Sequence, residues 1–87
     1  MSLALPAQIV HANASAVLGP LLASIERAAD APVIDAQALQ RFDSSVLAVL
    51  LACQRAALAR GRRLAVAGMP PRLRSLVEVY GLSELLA

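Results

Sequence analysis

The chain has no tryptophan and no lysine, and only one cysteine, one histidine, one phenylalanine and one tyrosine in 87 residues. Each shortage closes a class of function. With two aromatic rings in all, there is no stacking platform for single-stranded nucleic acid. All eight cations are arginine, and six acids leave a net charge of +2, spread along the chain rather than gathered in a block. Binding to nucleic acid or another polyanion is therefore not expected. Cys53 stands alone, so no intrachain disulfide forms and nothing points to an oxidising compartment. With one histidine and no paired C-x-x-C or H-E-x-x-H run, no metal site is expected. The glycines are isolated at Gly19, Gly61, Gly68 and Gly81, which leaves no phosphate loop and no G-x-S-x-G elbow. A hydrolase built on Ser44, His11 and an acid has no spacing in its favour, and neither catalysis nor a cofactor is expected. Long apolar runs are also missing. Although the mean hydropathy is positive, the longest run, Val46 to Cys53, is eight residues against the roughly 20 that span a bilayer. Met1 to Leu5 lacks a charged start, and Pro6, Gln8 and His11 break the apolar stretch after it, so no secretory signal is visible. A cytoplasmic protein with no direct membrane insertion is the expectation.

The residues that are present are aliphatic and ordered. A chain of this length makes one small domain, residues 1–87, near the size at which a single core suffices. Ser2 to Val10, interrupted by Pro6, fits one or two brief strands at a sheet edge, where a missing N–H is tolerated. From Asn13 to Ala29 the residues Val17, Leu18, Leu21, Leu22 and Ile25 fall on one helical face. Gly19-Pro20 either kinks that helix or marks its true start. Pro32 to Ala36 reads as a buried strand followed by a loop. Val46 to Arg60 reads as a second helix, apolar at Val46, Leu47, Val49, Leu50, Cys53, Ala57 and Leu58, polar at Gln54, Arg55 and Arg60, and stopped by Gly61. Leu64 to Ala67 is a third strand, Gly68 to Pro71 a loop. A last helix has the buried stripe Leu73, Leu76, Val77 and Tyr80 and ends at Gly81. Strands alternating with helices give an α/β fold, with parallel pairing across each crossover helix. Arg60, Arg62 and Arg63 around Gly61 read as a solvated turn rather than an anion site.

One stretch stands out against this plain background. In QRFDSSVLAV, Asp43, Ser44 and Ser45 sit directly before an apolar helix. Capping explains an acid or a hydroxyl at that place, because either accepts hydrogen bonds from the free amides of the first turn. One residue is enough for that task. A second hydroxyl at the positive end of a helix also makes a place where a phosphate on serine would be held, although adjacent Asp43 opposes it.

In its order of features, Val33 to Leu86 resembles the STAS domain, the fold of anti-sigma factor antagonists and of the cytoplasmic tails of sulfate transporters. The features are a hydrophobic strand ending in Asp35, the D-S-S turn opening an apolar helix, a helix closing on a basic residue and glycine, a strand ending at Gly68, and a last helix closing with Tyr80-Gly81-Leu82. The resemblance implies a single domain with a small mixed or partly parallel sheet and three to four helices. It also implies two roles for Ser44. In the antagonist branch the first serine after the aspartate is phosphorylated by an anti-sigma kinase, which switches binding off. In the lipid-transport branch a small STAS subunit sits on the ATPase of an inner-membrane ABC transporter, together with its permease, and helps maintain outer-membrane lipid asymmetry. There the hydroxyl is part of the contact. The short N-terminus, the Leu-Gly-Pro-Leu-Leu stretch and the Val79 to Leu82 ending make the chain look closer to this second branch. The resemblance thus implies a non-catalytic subunit, cytoplasmic and held peripherally at the inner membrane. Its expected docking patch is polar at Asp43, Ser44 and Ser45 and apolar along Val46 and Val49. Where the family commonly has glycine after the hydroxyl pair, this chain has Val46. The uncharged Val46 to Cys53 run also admits a homodimer, and a module that binds a small ligand is a further reading for which no pocket is visible in the sequence.

Overall fold

The computed structural model describes residues 2–86. In chain order the elements are β1 (Ser2–Ala4), β2 (Gln8–Ile9), α1 (Ala14–Arg27), β3 (Val33–Asp35), β4 (Arg41–Phe42), α2 (Ser45–Ala59), β5 (Ala65–Ala67) and α3 (Pro71–Val79). The main sheet has the order β1-β3-β5, and both pairings are parallel, Leu3 opposite Ile34 and Ile34 opposite Val66. This arises from the connections: α1 carries the chain from β1 to β3 and α2 carries it from β3 to β5, and parallel neighbours need such crossovers. The central strand holds the fully buried Ile34. Pro6 lies just past the edge strand β1, after Leu5 has donated its N–H to the Asp35 carbonyl at 2.9 Å.

A second, two-stranded parallel pairing joins β2 to β4, with Gln8 opposite Arg41 and Ile9 opposite Phe42. These two strands precede α1 and α2, so the pairing brings the starts of both helices together. The residue pattern predicts only a loop where β4 lies.

The helices pack as their apolar spacing dictates. Leu21 and Ile25 of α1 are buried, and α1 lies against α2. The helix continues through Pro20, so of the two alternatives the late start at Pro20 is excluded. Gly19 and Pro20 are exposed, so solvent is available to the Ala16 carbonyl that proline cannot serve. Helix α2 is apolar on nearly every side and fills the centre, burying Val46, Leu47, Val49, Leu50, Cys53 and Ala57. Helix α3 buries Leu73 and Val77 but leaves Tyr80 56% exposed, so the expected stripe is narrower than the sequence implies. The reason lies in the helix stop. Gly81 adopts φ +70°, and the Leu82 and Gly81 amides bond back to the Val77 and Glu78 carbonyls, which turns the chain inward at Leu82 and leaves Tyr80 outside.

Gln54 is the one buried polar residue of the core among the described residues, 2% exposed. Its side-chain oxygen accepts the Leu64 N–H at 2.9 Å, and its amide donates to the carbonyls of Leu64 at 3.2 Å and Leu85 at 2.6 Å. A residue expected on the polar face of α2 is therefore a buried link between α2, the entry to β5 and the segment after α3. Burial without these bonds would cost several kcal/mol, roughly 1–3 for each group left unpaired.

Candidate functional site

The turn before α2 is built around Asp43. Its backbone amide donates to the Ile9 carbonyl at 3.2 Å, extending the β2–β4 pairing by one step. Its carboxylate then divides between two backbones. Oδ2 accepts the His11 N–H at 3.0 Å, and Oδ1 accepts the Ser45 N–H at 2.8 Å. One side chain thus caps α2 and ties it to the loop that leads into α1. The His11 N–H, followed by the Ser45 N–H and hydroxyl, holds the Asp43 carboxyl below the ordinary aspartate value of 3.8. The carboxylate form is the one that fits.

Capping therefore falls to the acid, not to the serine beside it. Ser44 is exposed, its backbone is already helical, and its hydroxyl makes no capping bond. Ser45 is half-buried and its amide belongs to Asp43. Of the three polar residues of the turn, Ser44 alone makes no side-chain hydrogen bond to a described residue.

The two valines expected to carry the apolar side of the patch do not reach the surface. Val46 is 0% and Val49 2% exposed, both packed in the core, so the expectation that they line a docking surface is corrected. An eight-residue apolar run in a central helix sends most of its side chains inward. Val46 also shows why glycine is not needed after the hydroxyl pair: no residue other than glycine has a positive φ among the described residues, and the valine side chain has a place in the core.

Another apolar surface stands beside the turn instead. An open groove of about 500 Å³ runs between Phe42, Asp43 and Ser44 on one side and α3 on the other, where Pro71, Arg72, Ser75, Leu76 and Val79 line it. The Arg72 guanidinium carbon lies 5.1 Å from the centre of the Phe42 ring, in range of a cation–π interaction. Sequence reasoning singles out none of these α3 residues for a site. The spacing 72, 75, 76, 79 is the available signal, since it marks a second helical stripe next to the buried pair Leu73 and Val77.

A family model described as "Mlab, STAS domain" matches residues 1–87, the whole chain. The chain belongs to the STAS domain family. No curated protein matches it in a sequence comparison. The parallel sheet and the three helices fit a small STAS-like single domain. Both Asp43 oxygens are engaged by backbone amides, and no hydrogen bond links the His11 side chain to Ser44 among the described residues, so Ser44, His11 and Asp43 do not form a nucleophilic triad. Cys53 is buried, and burial pushes its thiol up to about 11, so it stays protonated at neutral pH and unreactive. Among the described residues there is no cluster of histidine, cysteine or acidic side chains placed for a metal, and no helix is long and apolar enough to cross a membrane. Two of the three arginines after α2 serve the STAS fold: Arg62 donates to the Ala29 carbonyl at 2.8 Å and Arg63 to that of Glu84.

Proposed function

We propose that the chain is a non-catalytic STAS subunit that docks on the ATPase of an inner-membrane ABC transporter for phospholipids. In that complex, which also holds the permease, it stabilises and regulates the ATPase and so serves outer-membrane lipid asymmetry. It stays on the cytoplasmic side and is held at the membrane by the transporter. The observation that carries this reading is the state of Ser44. Its hydroxyl is exposed and unused by the fold, at the lip of an apolar groove, in a chain that matches the Mlab description along its length. The docking surface accordingly consists of Asp43, Ser44 and the rim of Ser45, with Phe42, Leu76 and Val79 supplying the apolar area that Val46 and Val49 do not.

The test is co-expression of the tagged chain with the ATPase subunit of the same organism, followed by purification in mild detergent. A stable complex that is lost in Ser44→Asp is the expected result, because a fixed charge would be desolvated in the contact. An undiminished complex with Ser44→Asp would remove Ser44 from the interface. Mass spectrometry of the Ser44 peptide separates the second branch of the family: a phosphorylated Ser44 together with a bound anti-sigma kinase would replace transport by a phosphorylation switch.

A further inference from the structure

The groove holds one charge that the fold consumes and one that it leaves over. Asp43 spends both oxygens on backbone amides. Arg72, by contrast, makes no hydrogen bond or ion pair with any described residue and rests on the Phe42 ring. Of the eight arginines only Arg62 and Arg63 donate a side-chain hydrogen bond to a described residue; what sets Arg72 apart is its place over the Phe42 ring in the wall of the groove. A guanidinium held over a ring face still has N–H donors to offer, and these suit a carboxylate. Leu76 and Val79 succeed Arg72 along the same stripe of α3, and Val79 is 80% exposed. The stripe from residue 72 to 79 covers roughly 10 Å at the helical rise.

The groove also sets the size of its occupant. Sites for small molecules enclose about 70–90% of the ligand, whereas this groove is open and its apolar surface continues onto the exposed Val79. An occupant that covers Val79 as well as Phe42 and Leu76 is a segment of a macromolecule.

We infer that the groove reads a protein segment that presents a carboxylate and, about 10 Å away, a large apolar side chain. The carboxylate pairs with Arg72, and the apolar side chain lies on Phe42, Leu76 and Val79. This inference rests on the docking function proposed above and supplies the chemistry of the partner's side of the contact. It makes Arg72 the residue that selects the partner by charge, while Ser44 marks the rim.

The experiment is calorimetric titration of the purified ATPase subunit with the chain and three variants at exposed positions, Arg72→Glu, Val79→Asp and Ser44→Asp, each first shown to melt as a folded domain. Arg72→Glu should bind about 30-fold more weakly or worse, while Arg72→Lys, which keeps the charge but not the planar fork, should fall between Arg72→Glu and the parent. Reversing the partner's acid to arginine should recover at least about tenfold of the Arg72→Glu loss. If Arg72→Glu binds like the parent while Val79→Asp and Ser44→Asp do not, the charge selection is wrong and docking at the groove stands. If all three bind like the parent, docking at this groove is wrong as well. Saturable binding of laurate, seen as shifts of Phe42 and Val79 signals by NMR with no response to the ATPase, would overturn the inference in favour of an amphiphile. A homodimer in sedimentation that Arg72→Glu dissociates would overturn it in favour of a second copy.

Discussion

The two ends of α2 treat their polar neighbours in opposite ways. Toward the C-terminal end, Gln54 from the core and Arg62 and Arg63 from the surface all bond to backbone groups, those of Leu64, Leu85, Ala29 and Glu84. At the N-terminal end Asp43 does the same, but Ser44 makes no capping bond and Arg72 across the groove has only the face of a ring. At the first end these three side chains are structural parts, and their removal should be felt as lost stability. At the second end the fold is complete without two of its polar side chains. Polar groups left over beside apolar surface are the raw material of a binding site, because their desolvation is compensated only when a partner arrives.

The sharpest way to break this contrast is Gln54→Leu. The replacement leaves the buried Leu64 amide and carbonyl without their partner and removes the part-buried bond to the Leu85 carbonyl, and the expected loss is about 2–4 kcal/mol of unfolding free energy, read from urea denaturation. A loss near zero would mean that water takes over those bonds and that the C-terminal end is no more built than the other.

Asp43→Asn comes next and has a pH signature. The folded carboxyl titrates below 3.8 and the unfolded one near it. The carboxylate therefore adds stability that is fully present above the unfolded value and is lost as the pH falls through the lower, folded one. The parent should be more stable than Asp43→Asn at neutral pH. The gap should close as acid unfolding is tracked below 3.8, and a gap independent of pH would show that the carboxylate is not the source. Smallest of all is Ser44→Ala. Since the hydroxyl makes no capping bond, stability should change by less than about 0.5 kcal/mol, even though the same position governs docking.

Much of this fold is legible in the chain. Strand β3 and helices α1, α2 and α3 are given by β-prone and helical spacing, and Gly61 and Gly81 end their helices with positive φ as expected. The illegible parts have specific causes. Strand β4 has two residues, too few for a period to show. Helix α2 is so uniformly apolar that it has no distinct face, so nothing in the sequence says that Val46 and Val49 point inward while Leu58 stays exposed. Gln54 reads as a surface residue because a sequence does not reveal the backbone groups of Leu64 and Leu85 that satisfy it. The Asp43 to Ser45 turn is legible as a special place, but its partner wall is not, because Arg72, Ser75, Leu76 and Val79 are brought beside it only by tertiary packing.

The link through Gln54 has a consequence for how the protein folds. Leu86 is part of the core, and the Glu84 and Leu85 carbonyls are held by Arg63 and Gln54. Until residues 82–86 dock, the Gln54 amide lacks one acceptor and the core lacks one leucine. Strands and helices can form before that contact, but the hydrophobic interior closes only with it. A short segment far from α2 in sequence thus seals the core around it.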